Sequence, residues 1–262
     1  MLRGKVALVT GSTQGIGLAI LTALSKSGAD VVMHGLGDRE ANLAKVAELK
    51  AMAGPHTRVE YNDTDLLRPA AIREMIQGIH QEMGSLDILV NNAGIQHVAP
   101  VHEFPEDKWD AIIGVILSST FHTIRSSLPK MLERGWGRVI NTGSMHALVA
   151  SPYKSAYNAA KHGVAGLTKT VALEVAQKGV TCNAICPGYV LTDLVRNQLE
   201  DTARARGIPK ERVVSDVLLA DQPTKEFVKA EDIGQLAVHL CGPNSSCFTG
   251  ACISIDGGWT AR

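Results

Sequence analysis

A tyrosine and a lysine, Tyr157 and Lys161, stand four residues apart in the stretch SPYKSAYNAAKHG at 151–163. The residues between them suit a helix, and a spacing of four places both side chains on one helix face, one turn apart. A solvated surface pair would account for this spacing. The alternative is a proton-transfer group, in which an ammonium lowers the pKa of a neighbouring phenol.

Such a pair could carry out acid–base chemistry. A free tyrosine has a pKa of ~10 and is a poor base near neutral pH. An ammonium within ~4 Å of the phenolate contributes roughly 4 kcal/mol at an effective dielectric constant of about 20, or roughly three pK units. We therefore expect Lys161 to bring the pKa of Tyr157 close to neutrality. Tyr157 could then exchange a proton with the oxygen of a bound substrate, and Ser144, after an earlier apolar run, could hydrogen-bond the same oxygen.

The elements that must position these residues alternate along the chain. Helical patterns cover 16–26, 39–52, 70–83 and 108–134, besides the helix that carries Tyr157. Seven short apolar runs predict buried strands at 5–11, 28–35, 57–65, 86–94, 137–144, 180–188 and 251–258. Val/Ile/Leu runs separated by helices indicate a parallel sheet covered on both faces. We predict an α/β fold, a doubly wound parallel sheet of the Rossmann type, in one domain spanning 1–262. The charged, helical segment at about 189–228 is predicted to be a substrate lid.

The composition excludes several classes of function. The chain has 262 residues, a formal net charge of +0 and 45% hydrophobic residues, so it has no global field to attract nucleic acid or an anionic membrane. No run of ~18 apolar residues predicts a membrane span, and the start MLRGKVALVTGS is too briefly apolar for a signal peptide. The five cysteines form no C-x-x-C pair and have no histidine at metal-ligand spacing. We expect a cytoplasmic protein with reduced cysteines and no metal site.

A glycine-rich turn, GSTQGIG at 11–17, follows the first predicted strand and opens the first predicted helix. Glycines let the backbone approach a pyrophosphate, and the helix that follows offers free N–H groups to the anion. The spacing is G-x-x-x-G-x-G, not the commonest G-x-G-x-x-G. An ordinary strand-to-helix turn is the alternative, but the position between strand and helix is the one a dinucleotide site requires.

Over essentially its whole length the chain resembles the short-chain dehydrogenases/reductases. The resemblance rests, in order, on GSTQGIG, Asp65-Leu66, NNAG at 91–94, Ser144, Tyr157, Lys161, Pro187-Gly188 and DGG at 256–258. Three further runs are similar to the bacterial D-3-hydroxybutyrate dehydrogenases, which oxidise D-3-hydroxybutyrate to acetoacetate with NAD: GIQH, LVAS-x-x-KSAY-x-AAKHGV and DGGWTAR.

The resemblance implies a set of site residues. Its catalytic residues are Ser144, Tyr157 and Lys161, and Lys161 also holds the ribose hydroxyls. The implied cofactor-binding residues are Gly11, Thr13, Gly15, Ile16, Gly17, Leu36, Asp65, Leu66, Asn92, Gly94, Tyr157, Lys161, Pro187, Gly188 and Val190. The implied substrate-binding residues are Ser144, Tyr157 and Tyr189, with Gln96, His146, Lys154 and Gln198 as donors to a small carboxylate. A homotetramer is implied as well.

The residues at the end of the second predicted strand indicate whether the cofactor is NAD or NADP. Many NAD enzymes place an acidic residue there to hold the ribose 2′-hydroxyl, and here Gly35 stands near that position. Arg39 could meet a 2′-phosphate, which leaves NADP as the alternative. The hydroxybutyrate dehydrogenases have a similar glycine-rich turn, with Phe where Leu36 stands, and use NAD. We therefore predict NAD.

Two positions depart from the family pattern. Tyr189 stands where Trp is usual, which predicts a more polar or roomier pocket wall. Ile116 stands where an Asn usually stabilises a helix irregularity and links the catalytic lysine to solvent through water. Because isoleucine cannot hydrogen-bond, a dinucleotide-binding protein of low activity remains an alternative. A dehydrogenase of another short hydroxy acid or alcohol is a third interpretation.

Overall fold

A computed structural model gives the structure of the chain and describes residues 1–261. Seven strands form one parallel sheet in the order β3-β2-β1-β4-β5-β6-β7. The strands are β1 Val6–Val9, β2 Asp30–His34, β3 Val59–Asn62, β4 Ile88–Asn91, β5 Gly137–Thr142, β6 Val180–Pro187 and β7 Cys252–Ile255. Each lies inside a predicted apolar run, so the predicted doubly wound parallel sheet is confirmed.

Helices cover both faces of this sheet. They are α1 Gly15–Lys26, α2 Arg39–Ala53, α3 Pro69–Met83, α4 Glu106–Ile113, α5 Ser119–Arg134, α6 Ser155–Val175, α7 Asp193–Arg196, α8 Leu199–Arg206 and α9 Ala230–Cys241. Along β1, Ala7 and Val9 face the core formed with α1 and α9, whereas Val6 and Leu8 face the core formed with α3, α5 and α6. Both faces of the strand are therefore buried, as its unbroken apolar run requires.

The elements differ from expectation in two places. The predicted helix at 108–134 is divided by a π-type turn at Gly114–Ser118, between α4 and α5. Helix α9, for which the sequence analysis predicted no element, packs against α1. The predicted lid segment at 189–228 contains α7, α8 and a second π-type turn at Val214–Leu218, and its apolar side chains form a small core with Tyr189 and Met145.

The stretch Glu106–Arg134 is, within residues 1–261, the one helix long and apolar enough to cross a membrane by length and composition. Core helices of soluble proteins meet the same test, so the criterion alone is weak evidence. Here α5 packs against α3, and the buried hydroxyls of Thr123 and Ser127 are hydrogen-bonded within the protein. One face of the stretch is thus packed against the protein, and 39% of its apolar window is buried.

A buried polar network ties α5 and α6 to the middle of the sheet. Asn91 on β4 donates from Nδ2 to Oδ1 of Asn141 on β5 at 2.9 Å. The Thr123 hydroxyl of α5 donates to Asn91 Oδ1 at 2.6 Å, and Asn141 Nδ2 donates to Thr168 Oγ1 of α6 at 2.8 Å. Because each of these buried groups has a partner, the network fixes the position of α6, which carries Tyr157.

Gly17 packs the start of α1 against the glycine-rich turn. A Cβ at this position would overlap the carbonyl oxygen of Gly11 and lie 2.5 Å from Asn92 Nδ2. That amide nitrogen donates to Gly11 O at 2.9 Å and to Thr10 O at 3.0 Å. A methyl group therefore has to push apart the contacts that shape the turn.

We expect Gly17→Ala to lower the free energy of unfolding by about 1–3 kcal/mol, the usual cost of overpacking. Gly78→Ala in α3 is the matched control, because a Cβ there has open space. Alanine has the higher helix propensity, so the control should gain up to about 1 kcal/mol. Denaturant unfolding of both variants measures the two effects, and equal stabilities would contradict the close packing at Gly17.

Candidate active site

The carboxyl ends of β1, β4, β5 and β6 border one cavity of about 380 Å³. The direction of winding reverses between β1 and β4, which is where open α/β sheets bind ligands. Of the residues implied by the resemblance, all but Gly17 line this cavity. Gly17 lies beneath the turn, so its part in cofactor binding is at most to shape the backbone.

Tyr157 and Lys161 lie in α6 on the face that borders the cavity. Lys161 Nζ is 5.5 Å from the centre of the Tyr157 ring and donates to the carbonyl oxygen of Thr142 at 2.6 Å. Lys161 is only 4% exposed, and Tyr157 is half-buried. The interpretation of this pair as a solvated surface pair is therefore wrong.

The expected lowering of the Tyr157 pKa is also wrong for this structure. Burial raises the pKa of Tyr157 to about 12, against the opposing effect of a hydrogen bond with Ser144. Burial likewise lowers the pKa of Lys161 to about 8, and its ammonium is directed at Thr142. Desolvation disfavours the charged form of each group, and it is the largest effect on both pKa values.

Ser144 and His146 follow β5 in a short turn. The Ser144 hydroxyl oxygen accepts from the His146 backbone N–H at 3.1 Å, which fixes the turn. The buried His146 ring lies edge-on to Tyr157, Tyr189 and Trp259, with centroid distances of 6.1, 6.2 and 5.8 Å. Burial, then a neighbouring ammonium, lowers its pKa to about 3. Neither ring nitrogen has a hydrogen-bond partner within residues 1–261, so a neutral imidazole borders the cavity with its polar atoms uncommitted.

Lys154 places a second ammonium at the cavity wall. Its Nζ donates to the Tyr189 hydroxyl at 3.2 Å and lies 5.0 Å from the centre of that ring. Lys154 is 6% exposed, and burial, followed by the charge of Arg206, lowers its pKa to about 8. In the described chain no carboxylate forms an ion pair with it. A buried cation without a counter-ion favours an anionic ligand. The Tyr189 hydroxyl is thus engaged by Lys154 at this wall.

Two glutamines that the resemblance implies in substrate binding also border the cavity. Gln96 follows β4, and its Oε1 accepts from the His97 backbone N–H at 3.1 Å. Gln198 precedes α8, and its Nε2 donates to the carbonyl oxygen of Leu194 at 2.7 Å. Since both line the cavity, the segment 189–228 reaches the same space as the sheet edge.

The glycine-rich turn fits a dinucleotide phosphate. Gly11 and Gly15 have φ values of 61° and 56°, which favour glycine, and a Cβ at Gly11 would lie 2.8 Å from the Ala93 Cα. Helix α1 begins at Gly15 with no side-chain cap from Gln14. Its first N–H groups therefore remain available to an anion.

Sequence reasoning missed several residues of the cavity. Thr142 supplies the carbonyl acceptor for Lys161, and His34 and Thr192 also line the cavity. His34 and Thr142 are the last residues of β2 and β5. The carboxyl end of a parallel strand was the signal that could have identified both.

Ile116 lies at the centre of the π-type turn. The turn is present without an amide at this position: Ser119 N donates to Gly114 O, Ser119 Oγ donates to Val115 O at 2.5 Å, and Thr120 Oγ1 donates to Ile116 O at 2.7 Å. The Ile116 side chain is 2% exposed. It packs in an apolar cluster with Ile112, Ala156, Ala160 and Val164, against which Tyr157 also packs.

Comparisons with known proteins agree with this geometry. The family model described as short chain dehydrogenase matches residues 5–203. A D-beta-hydroxybutyrate dehydrogenase of Rhizobium meliloti is 50% identical over 258 residues, 98% of this chain and 99% of the relative. The protein of that name from Cupriavidus necator is 50% identical over the full length of both. Among solved structures, a variant of actinorhodin polyketide ketoreductase with NADPH superposes with a TM-score of 0.92 at 29% identity, covering 98% of both chains.

We expect Ile116→Asn to lower stability without raising turnover. The substitution would bury an amide in an apolar cluster, at a cost of about 1–3 kcal/mol when the amide stays unpaired. Ile112→Asn, in the same cluster but outside the π-type turn, is the matched control. Melting temperature and kcat measured on both variants separate a general packing effect from a specific one. A higher kcat in Ile116→Asn alone would show that the amide serves proton transfer there.

Proposed function

The chain belongs to the short-chain dehydrogenase family, and we propose that this oxidoreductase interconverts D-3-hydroxybutyrate and acetoacetate with NAD. The observation that carries the proposal is the buried Lys154 ammonium, which has no carboxylate partner in the described chain and borders the same cavity as Ser144, Tyr157 and Lys161. Two relatives at 50% identity named D-beta-hydroxybutyrate dehydrogenase support it.

The substrate carboxylate would be bound by donors of three kinds. The Lys154 ammonium supplies the charge, and its hydrogen bond to Tyr189 holds it at the cavity wall. The amide groups of Gln96 and Gln198 supply neutral donors, and His146 supplies a neutral imidazole whose nitrogens have no partner in the described chain. A charge-assisted hydrogen bond in so buried a site favours a carboxylate over an uncharged alcohol.

Proton transfer would take place at the Tyr157 hydroxyl. A bound nicotinamide dinucleotide supplies the acceptor or donor of the hydride. Because the pKa of Tyr157 is raised to about 12, the phenol holds its proton at neutral pH and can donate it to a ketone oxygen oriented by Ser144. In the direction of oxidation Tyr157 must act as phenolate. The phenolate fraction rises tenfold per pH unit below the pKa, so the rate of oxidation is expected to rise with pH.

NAD is the proposed cofactor because Arg39, the cation that could meet a 2′-phosphate, is paired with a carboxylate. Arg39 forms an ion pair with Asp63, and its guanidinium lies 5.6 Å from the Tyr61 ring centre. A Cβ at Gly35 would lie 2.8 Å from Thr13 Cγ2, so an acidic side chain does not fit there either. Steady-state rates with NAD and NADP test this choice.

The test of the proposed function is a steady-state assay with NAD and each enantiomer of 3-hydroxybutyrate, alongside longer 3-hydroxy acids and uncharged alcohols. The highest kcat/KM for the D enantiomer would support the proposal.

A different short hydroxy acid is the second candidate substrate, favoured by the Tyr189 hydroxyl at a wall where Trp is usual. We propose a cytoplasmic homotetramer as the working form, which light scattering can test.

We expect Lys154→Ala to lower kcat/KM for D-3-hydroxybutyrate at least tenfold, since a charge-assisted hydrogen bond contributes about 1.5–3 kcal/mol. Activity on an uncharged alcohol should fall much less. In the wild type, KM for the hydroxy acid should rise as pH increases through about 8, where Lys154 loses its charge. Lys169→Ala, an exposed position on the same helix, is the control. Equal losses on charged and uncharged substrates would contradict a carboxylate contact.

Tyr157→Phe should retain NADH binding and lose nearly all turnover, because only the proton-carrying hydroxyl is removed. General acid–base catalysis contributes about 10²–10⁴-fold, which sets the expected loss. Nicotinamide fluorescence measures binding, and stopped or continuous assays measure turnover. Tyr153→Phe, which alters a phenol outside the main cavity, should behave as wild type. A Tyr157→Phe enzyme at the wild-type rate would exclude Tyr157 as the acid–base group.

A further inference from the structure

His34, the last residue of β2, connects two loops of the cofactor end of the cavity. Its Nδ1 lies 3.3 Å from the backbone nitrogen of Gly11, in the glycine-rich turn. Its Nε2 lies 2.9 Å from the carbonyl oxygen of Thr64, next to Asp65 and Leu66. The imidazole is 2% exposed and borders the main cavity. One side chain thus spans both loops implied in dinucleotide binding.

The two contacts determine the protonation state of the ring. A backbone N–H can only donate, so Nδ1 must be an unprotonated acceptor for Gly11. A carbonyl oxygen can only accept, so Nε2 must carry the proton that is donated to Thr64. Both contacts are satisfied together only by the neutral imidazole. A second proton on Nδ1 would face the Gly11 N–H with another donor and remove that hydrogen bond.

The backbone of His34 is held independently of its ring. Ser12 N donates to His34 O at 2.7 Å, and His34 N donates to Ser12 Oγ at 2.9 Å. Protonation of the ring would therefore leave the backbone hydrogen bonds between β2 and the glycine-rich turn in place. The affected contact is the one at Gly11, where the backbone must be shaped to approach a pyrophosphate.

We propose that His34 is a positioning residue for the dinucleotide, which aligns the glycine-rich turn with the Thr64–Leu66 loop and does so only as the neutral imidazole. This inference rests on the proposed cofactor and adds a residue to its binding site. It makes cofactor affinity depend on pH on the acid side, separately from the proton transfer at Tyr157.

The pH range follows from the surroundings of the ring. Burial lowers the pKa of His34 below its ordinary value of 6.5, against opposing effects of the Thr64 carbonyl and of Asp63. Asp63 is paired with Arg39 of α2, and Lys45 of the same helix donates to Thr13 O at 2.9 Å. The glycine-rich turn itself contains no titratable side chain. Cofactor affinity should hold at and above neutrality and fall as pH decreases through the region below 6.5.

The experiment is a titration with NADH, followed by nicotinamide fluorescence, from pH 8 down to pH 4.5. NADPH is titrated in parallel, so that binding is measured whichever dinucleotide this enzyme prefers. Asparagine at position 34 places an amide oxygen near the position of Nδ1 and does not titrate. We therefore expect His34→Asn to bind within about threefold of wild type at pH 8 and to lose the acid-side fall in affinity. His34→Leu removes both contacts and should bind about tenfold more weakly at every pH.

The control is His56→Asn, an exposed histidine in the loop that enters β3 at the opposite edge of the sheet. It should reproduce the wild-type affinity and its pH dependence. With saturating cofactor, kcat of His56→Asn should also equal that of wild type, because this exposed ring lies away from the cavity.

Two results would overturn the inference: an unchanged pH dependence in His34→Asn, or wild-type affinity in His34→Leu. If the leucine variant does not fold, the asparagine titration alone decides. Turnover of D-3-hydroxybutyrate is assayed separately. NADH binding that depends on His34 in an enzyme that leaves hydroxybutyrate unoxidised would contradict the proposed substrate and leave the inference standing.

Discussion

All seven strands run in one direction, so every strand delivers its last residue to the same edge of the sheet. That geometric constraint underlies the whole site. The turn after β1, the NNAG segment after β4, Ser144 and His146 after β5, and the Pro187-Gly188 turn of β6 meet there although they are far apart in sequence. The helices on the two faces bury the strands, and the loops at this edge are left to carry the chemistry.

Burial then determines the charge state of the groups collected at this edge. The pKa values of Lys154 and Lys161 are lowered to about 8, that of His146 to about 3, and that of Tyr157 is raised to about 12. In every case desolvation is the main cause, and it favours the neutral form. The site is therefore a poorly solvated pocket with few charges. A bound anion, or a charge that develops during the reaction, is surrounded there by fixed dipoles and by two lysines whose pKa values lie near neutral pH.

Most of the fold could be predicted from the sequence, because the strands of a buried parallel sheet appear as apolar runs that can be recognised one at a time. The glycine-rich turn and the Tyr157–Lys161 spacing are likewise local patterns. The π-type turn at Gly114–Ser118 left no signal in the periodicity, because one extra residue in a helix hardly disturbs it; only the family resemblance pointed to an irregularity near position 116. The direction of the Tyr157 pKa shift was wrong because desolvation depends on neighbours from other elements. The two contacts of His34 join residues 23 and 30 positions away, which no local pattern reveals.

The π-type turn shows that, in this chain, the backbone conformation at a position does not depend on the functional group that its side chain carries. The Val115 and Ile116 carbonyl oxygens in this turn accept from the hydroxyls of Ser119 and Thr120, one helical turn further on, and the side chain at position 116 is apolar. The backbone therefore adopts the π-type turn without a hydrogen bond from the side chain of residue 116. A substitution at such a position can remove a functional group while the backbone around it keeps its conformation. Superposition of backbones would not register that loss; only the identity of the side chain records it.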